Sequence, residues 1–514
     1  MSSENAVNQA EAQSGKQTAG GYLASTVKHG GIYALGTLLA KGVGFIMLPV
    51  YTRVLTTADY GILEILSLST DILGMLVGLG VRQAVMRYYY QYDNDQDRNG
   101  VISTASLLLL LTFGLTAFVG LAFSVQLTDL LLGPDQPNHY VQLAVIAFAL
   151  GALGDIPGVY LQARQQSKIF VAASTARLIL ALSLNIVLVV FLHLGVVGIF
   201  MSTIISSIVI GGYMIWQMLC QTGIRFVNAR ARELILFGAP LMVWQVGSFV
   251  LHFSDRYFLR YERTLSDVGL YALAYKLAML LGTFIIGPFR DIWIAKSLEI
   301  ARREGPAGNP ILASIMRHYN MVLVGVGLGI ALFSTDVIHL MLGAQFAAAS
   351  ETVPLLVVAV VFFGYRQISQ TGAMIAGRSG LIAWSTTIAA GGAVILNMLL
   401  IPPYGAMGAA IATAGAFLLE FLVMRRFSLH VHPVTVPLHV LAQPILLAAM
   451  VWTGAALVVP EGAHPLLGLG IRIAAGLAFL VGALVTGIIT TEERGALAHI
   501  IRDPRSLLVT LRKA

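Results

Sequence analysis

Eight titratable residues fall inside otherwise apolar stretches of this 514-residue chain: Lys41, Asp71, Asp155, Arg177, Asp255, Lys276, His318 and Arg366. A charge at bilayer depth costs about 2.5–3.5 kcal/mol or more, so such residues face protein or a water-filled cavity. Four of them are cations. Arginine presents a planar fork to carboxylate or phosphate oxygens, and lysine a point charge. Lys41, Arg177, Lys276 and Arg366 together therefore suit an anionic group withdrawn from water. Arg366 has no acidic residue close by in sequence and is the leading candidate. The structural alternative is a set of ion pairs, Lys41–Asp71, Asp155–Arg177 and Asp255–Lys276, between neighbouring helices. Asp71, Asp155 and His318 are the candidates to carry a coupling proton or sodium ion.

The elements that must position these residues are membrane helices. The chain is 57% hydrophobic and 11% charged, against about 25% charged in soluble domains. Apolar windows of spanning length recur near 29–50, 61–82, 101–124, 140–162, 170–192 and 196–219. A second set lies near 234–255, 268–289, 311–333, 352–375, 380–401 and 406–424, and two more near 438–459 and 466–489. The expected fold is thus an all-α polytopic membrane protein of about 14 spans. Residues 1–28, polar and without an apolar signal-peptide core, read as a disordered tail.

Basic residues choose the orientation. Loops 125–139, 193–195, 334–350, 402–405 and 460–465 carry no lysine or arginine. The opposite loops carry Arg82, Arg87, Arg98, Arg164, Arg225, Arg230 and Arg232 among others, and the tail adds Arg494, Arg502, Arg505, Arg512 and Lys513. The positive-inside rule puts both termini in the cytoplasm. Arg256, Arg260 and Arg263 dissent: either Asp255, Glu262 and Asp267 neutralise them, or they guard a cavity mouth. Arg53, Arg256 and Asp255 are the candidates for that mouth or gate.

Three matches, kept in order at an offset of about 210 residues, point to an internal repeat. Asp59-Tyr60-Gly61 returns as Asp267-Val268-Gly269, Leu130–Gly133 as Leu340–Gly343, and Gly195–Gly198 as Gly405–Gly408. An even number of spans per unit makes the repeat parallel, with a ligand site expected between the halves near mid-depth. The organisation that follows is a tail 1–28, an N-lobe 29–219, a cytoplasmic linker 220–233, a C-lobe 234–428, two appended spans in 429–490 and a basic helical tail 491–514.

Pro157, Pro240 and Pro288 each remove a helix hydrogen bond inside a span and are the expected hinges. Arg87 to Tyr90 and Tyr92 fit an aromatic–basic interfacial belt. The scattered His430, His432, His439 and His464 lack carboxylate support and do not suggest a metal site. A single cysteine, Cys220, excludes an internal disulfide framework. No cofactor is expected beyond coupling to a proton, to sodium or to the membrane potential.

These residues resemble the polysaccharide transporter family of the multidrug/oligosaccharidyl-lipid/polysaccharide exporter superfamily. The resemblance rests on LPVYTRVLTTADYGILEIL, on Pro240 opening the seventh span, on SDRYFLRYERTLSDVGLYALAYKLA, on AGRSGLIAW and on Gly405-Ala-Met-Gly408-Ala-Ala. It covers about residues 25–430. It implies a two-lobed fold and alternating access of a cationic central cavity. The cargo it implies is a sugar on a polyprenyl, typically undecaprenyl, pyrophosphate, exported across a bacterial inner membrane for surface polysaccharide synthesis. Partners would be that lipid-linked oligosaccharide, membrane lipids and polysaccharide polymerase or assembly proteins, with no nucleic acid.

Two other classes compete. A cation- or proton-coupled multidrug antiporter of the same superfamily would favour acids in its site, whereas the first span carries Lys41 and no acid. A membrane enzyme of glycan assembly would need outer loops holding catalytic groups. The loops here are short, no phosphate-binding Walker loop is present, and no nucleophile–base pair is visible. The expectation is a transporter, not an enzyme.

Overall fold

The computed structural model describes residues 47–78, 80–432, 436–458 and 465–486. Among them every regular element is a helix. The chain begins with α1 (Leu48–Val54), α2 (Thr57–Val77), α3 (Val81–Gln91), α4 (Asp95–Ala122), α5 (Ser124–Leu131) and α6 (His139–Ala163). Next come α7 (Ser167–Asn185), α8 (Gly195–Ser206), α9 (Gly212–Thr222), α10 (Asn228–Glu262), α11 (Leu265–Ala278) and α12 (Gly287–Glu304). The rest is α13 (Asn309–Met341), α14 (Val353–Ser369), α15 (Thr371–Ile375), α16 (Gly380–Val431), α17 (Leu438–Val458) and α18 (Pro465–Val485). Twelve helical stretches among the described residues are long and apolar enough to cross a membrane.

One of the twelve, α16, is two helices. Pro402 and Pro403 withhold backbone donors at the end of its first half, and Gly405 sits at φ 56°, ψ −130°, a conformation that suits glycine. Arg263 Nη2 donates to the freed Pro402 carbonyl at 2.7 Å. With α16 divided, the described residues supply the expected spans from the second onward. Lys41 and most of the first span, like the two tails and His464, lie outside the described residues.

The repeat is visible in the backbone. Thr56 and Asp59 cap α2 reciprocally: Thr56 N–H and Oγ1–H donate to Asp59 Oδ2 at 3.0 and 2.7 Å, and Asp59 N–H donates to Thr56 Oγ1 at 3.1 Å. Thr264 and Asp267 cap α11 in the same way, at 3.1, 2.7 and 3.2 Å. Both are capping boxes. Gly195 (φ 54°) and Gly405 (φ 56°) both take a positive φ at the third matched motif. The two capped ends also meet. Thr57 and Ser266 hydroxyls lie 2.6 Å apart. A side chain on Gly61 would overlap the Leu265 carbonyl, and one on Gly269 would overlap the Thr57 carbonyl. Only glycine permits so close a crossing.

The contacts divide the chain into two compact units, one of Met1–Leu55 with Leu66–Val243, the other of Thr56–Ile65 with Trp244–Ala514. Two of its three boundaries fall inside helices, α2 and α10, and the third in the short loop between α1 and α2. Within the first unit, α3, α4 and α6 build a core in which Phe113 stacks on Phe148 at 4.6 Å. The backbone N–H groups of Arg225 and Val227 donate to Ser103 Oγ and Thr104 Oγ1 at 2.7 and 3.1 Å, which fastens residues 225–227 to α4. Arg230 is then gripped by Asp97, Glu233 and Tyr92. Within the second unit the helices approach through small residues, with Ala359, Ala389, Ala393, Ala416 and Phe417 buried together.

Candidate functional site

The second unit holds two buried polar clusters. The first is built by the start of α2, the C-terminal half of α10, and α11. Arg256 is 1% exposed, and its Nη1 donates to Asp255 Oδ1 at 2.6 Å and to the His252 carbonyl at 2.8 Å. Its guanidinium lies 4.0 Å from the Tyr275 ring centroid and 5.1 Å from that of Tyr271, within cation–π range. Asp255 Oδ2 accepts from Tyr271 Oη at 2.6 Å and from Thr413 Oγ1 at 2.9 Å. Asp255 is thus hydrogen-bonded through both oxygens, which helps a buried ion pair to be tolerated, whereas Arg256 Nε is buried without a hydrogen-bond partner.

Glu64 is also buried, and it bridges two cations. Lys276 Nζ donates to Glu64 Oε2 at 2.9 Å and to Tyr60 Oη at 3.0 Å, while Arg256 Nε lies 3.9 Å from Glu64 Oε1. Lys276 differs from the rest of the cluster in that its side chain is 47% exposed, against 10% for Glu64. The cluster holds two acids and two bases, so its formal charge balances. Its open member is the ammonium.

The second cluster joins α14 to both halves of α16. Arg366 Nε donates to Glu420 Oε1 at 3.0 Å, and Thr386 Oγ1 donates to the same oxygen at 2.8 Å. Arg366 Nη2 donates to Thr386 Oγ1 at 3.2 Å, and Nη1 to the side-chain oxygens of Gln367 and Gln370 at 3.3 and 3.2 Å. Arg366 is 7% and Glu420 1% exposed. The His252 ring packs against Phe363 and Phe417, each one turn before Arg366 or Glu420 on its helix.

The pairings differ from those expected. Lys276 takes Glu64, 212 residues away in sequence, and leaves Asp255 to Arg256. Asp155 pairs with Arg82 at 3.0 Å, not with Arg177, whose Nη2 donates to Ser207 at 2.9 Å. Arg177 lies over Gly154, which has no side chain to obstruct it. Arg366, which has no acid close by in sequence, pairs with Glu420, 54 residues away. Because α10 runs to Glu262, Asp255 and Arg256 lie inside a helix rather than at a loop mouth. Arg53 is exposed at the end of α1. Asp71 is exposed on α2, and His318 is exposed on α13 with Nδ1 2.7 Å from the Ser314 carbonyl. Of the prolines, Pro157 and Pro240 lie within unbroken α6 and α10. Pro288 opens α12 directly after the π-helical turn Gly282–Ile286, which absorbs its missing donor. Glu64 and Glu420 escaped the sequence reading, although an acid inside an apolar window is as informative as a lysine there.

The second unit also has an open apolar pocket of about 320 Å³ between α13, α14 and α17, lined by Val324, Leu328, Val361, Ile445, Ala448 and Trp452 among others. Among the described residues, no group of three or more His, Cys, Asp or Glu is placed to hold a metal ion.

Helices of spanning length, a parallel internal repeat and charges buried at membrane depth define a polytopic transporter fold. The chain belongs to the polysaccharide biosynthesis protein family, whose sequence profile matches residues 26–294. It is similar to an uncharacterized membrane protein of Methanocaldococcus jannaschii, 21% identical over 434 residues, which are 78% of this chain and 83% of that one. The probable low-salt glycan biosynthesis flippase Agl15 of Haloferax volcanii is 25% identical over 194 residues, 36% of this chain and 40% of its own length. Among solved structures, the lipid II flippase MurJ in an inward closed conformation superposes with a TM-score of 0.72 at 13% identity, covering 88% of this chain and 98% of that one. An inward-facing multidrug resistance MATE family transporter of the MOP superfamily gives 0.61 at 14% identity, over 76% and 95%. The fold is that of this exporter superfamily.

Proposed function

We propose that this protein is a flippase of the cytoplasmic membrane. Its cargo is a polyprenyl-pyrophosphate-linked oligosaccharide repeat unit, moved to the outer leaflet by alternating access of a cationic cavity for surface polysaccharide synthesis. Membership of the polysaccharide biosynthesis family supports the pathway class, and the flippase named among the relatives supports the reaction. The observation that carries the substrate's charge is the arrangement of Lys276 over Glu64. The acid is buried and the ammonium open, so an approaching ligand meets the cation first. A pyrophosphate oxygen would draw Lys276 away from Glu64, and Glu64 would keep Arg256, 3.9 Å away, as its counter-ion. The prenyl chain needs no protein site, because lipid solvates it.

The multidrug antiporter reading is favoured by one feature, the buried carboxylate of Glu64. A cationic drug would have to displace Lys276 to reach it, which disfavours that reading.

Leaflet assignment of the lipid-linked oligosaccharide tests the proposal. A membrane-impermeant glycan probe is applied to intact and opened spheroplasts of a deletion strain. We expect the glycan on the cytoplasmic face, returned to the outer face by wild type and by Lys276→Arg, and at least tenfold less by Lys276→Met. An unchanged leaflet distribution in the deletion strain, with no redundant transporter expressed, sinks the flippase reading.

A further inference from the structure

We propose that the second unit carries a phosphate-binding site at its basic end, apart from the Lys276 cluster, in which Arg425 holds the anion. The ligand is a phosphate group, borne by a membrane lipid or free in solution. The site does not depend on the flippase reading above.

The site is an open pocket of about 20 Å³ where α13, the joint between α14 and α15, the second half of α16 and the start of α17 meet. Met316, Ser369, Thr371, Arg425, Ser428 and Leu441 are among its lining residues. Its walls are fixed by bonds made outside it. Thr371 Oγ1 accepts from Trp293 Nε1 at 2.7 Å and donates to the Ile368 carbonyl at 2.6 Å. Gly372 lets α16 close in, since a side chain there would overlap Ser428 Oγ and crowd the His432 carbonyl. Pro444 has no N–H to offer the Val440 carbonyl four residues back. Asn320 Nδ2 donates to that carbonyl instead, at 3.0 Å, and Tyr365 Oη donates to the Leu441 carbonyl at 3.0 Å. The start of α17 is thereby fastened to α13 and α14.

Within these walls the polar groups are donors in search of an anion. Arg425 is half-buried. Among the described residues of α13 to α17 the carboxylates are Asp336 and Glu420, and each pairs with another arginine, Arg472 and Arg366 respectively. Arg425 is therefore left without an acid on any of these elements. Ser369 and Ser428 add two hydroxyls to the lining. His432 donates its backbone N–H to the Ser428 carbonyl at 2.9 Å, which seats it one turn beyond Ser428, and its Nε2 is buried without a hydrogen-bond partner. A guanidinium, two hydroxyls and an imidazole nitrogen can all donate, and a phosphate has acceptor oxygens for them.

Size narrows the ligand further. A space of about 20 Å³ admits one water-sized group. That is too little for a sugar ring and enough for a single phosphate oxygen, with the other oxygens left at the exposed side of Arg425. A phosphodiester can bind in this way, because both of its substituents stay outside the mouth. The end of the unit that carries Arg425 and Arg426 is the one that the positive-inside rule assigns to the cytoplasmic face. Basic pockets between membrane helices on that face take lipid phosphates. A phosphate held by Arg425 and Ser428 on α16 and by Ser369 on α14 ties those two helices together.

Thermal-shift titration of the delipidated, detergent-purified full-length protein tests this, because a ligand of the folded state raises the melting temperature with its concentration. The probes are phosphatidylglycerol, diacylglycerol of the same chains, and inorganic phosphate. Wild type is expected to be stabilised by phosphatidylglycerol and not by diacylglycerol. Arg425→Met is expected to weaken that binding about tenfold, the scale of one charge-assisted hydrogen bond. Arg426→Met removes the same charge from the exposed neighbour and is expected to leave binding unchanged. Stabilisation by inorganic phosphate alone, lost in Arg425→Met, supports the site and makes the free ion its ligand. Should Arg425→Met fail to fold, Ser369→Ala with Ser428→Ala is expected to weaken binding measurably. The proposal is overturned if neither phosphate probe stabilises wild type, or if diacylglycerol does so equally. It is also overturned if Arg426→Met costs as much as Arg425→Met, or if Arg425→Met or the double serine variant binds as wild type does. Such a failure leaves the leaflet measurement untouched, and a negative leaflet result leaves the phosphate titration to stand by itself.

Discussion

Arg366 and Glu420 illustrate how a charge at membrane depth is to be read once its partner is known. From the sequence, Arg366 invites assignment as a free cation. In the fold it is enclosed, with four side chains bonded to it. Removing one member of such a pair costs about 3–5 kcal/mol, whereas replacing both with apolar residues of similar volume is often neutral. Arg366→Ala is therefore expected to lower the melting temperature of the detergent-purified protein by several degrees, and Arg366→Met with Glu420→Met to recover most of the loss. A double variant that melts like wild type yet exports nothing separates a role in transport from one in packing; full export by the double variant would confine the pair to packing. The depth of each charge was legible in the sequence, because an apolar window sets it. The partners were not, since Lys276 and Glu64 are joined by folding across 212 residues, and no local spacing rule reaches so far. Asp155 is the subtler case. It has Arg177 on the next span, yet it turns to Arg82, and Gly154 provides the space in which Arg177 bypasses it.

At the scale of elements, the repeat does more than duplicate a fold. The matched segments Asp59–Gly61 and Asp267–Gly269 cap two helices in the same way and then cross one another. Glycine on each side lets the backbones touch, and the Thr57–Ser266 hydroxyl contact at 2.6 Å registers the crossing. We expect this crossing to open during the transport cycle. In a Cys220→Ser background, Thr57→Cys with Ser266→Cys places two thiols within disulfide reach, given that bridged Cβ atoms lie about 3.5–4.5 Å apart. Oxidation is expected to cross-link the pair and stop export, with recovery on reduction. Export that continues through a quantitative cross-link would mean that this crossing stays closed throughout the cycle. The repeat was readable because helix caps and left-handed glycines are local requirements with residue-specific solutions. The break in α16 was legible too, from Pro402, Pro403 and Gly405. That α10 continues to Glu262 was not, because Asp255, Arg256 and Arg260 interrupt the apolar run that would have extended it; their pairing inside the fold is what allows the helix to go on.

For the molecule as a whole, the decisive quantity is the direction in which it sits in the membrane, because export and import differ only in that sign. The orientation rests on the distribution of lysine and arginine, which is nearly one-sided. The dissent of Arg256 and Arg263 is reduced in the fold: Arg256 pairs inside α10 with Asp255, while Arg263 stays exposed and donates to the Pro402 carbonyl. Arg256 is therefore no free loop charge of the kind that the rule counts, whereas Arg263 keeps its charge. Arg225 and Arg230, by contrast, stand at the fastened segment 225–230, where Arg230 is held among Asp97, Glu233 and Tyr92. The native Cys220 is exposed one turn before that segment, and Asp135 is exposed at the opposite end of the helices flanking it. A membrane-impermeant thiol reagent applied to intact cells is expected to spare Cys220 and to label Asp135→Cys in a Cys220→Ser background, with Cys220 becoming reactive once the cells are opened. The reverse pattern would turn the chain over. Lys276 would still sit where it does in the fold, but the lipid-linked sugar would have to move opposite to the direction proposed, and a flippase supplying an outer-leaflet polymerase could not work that way.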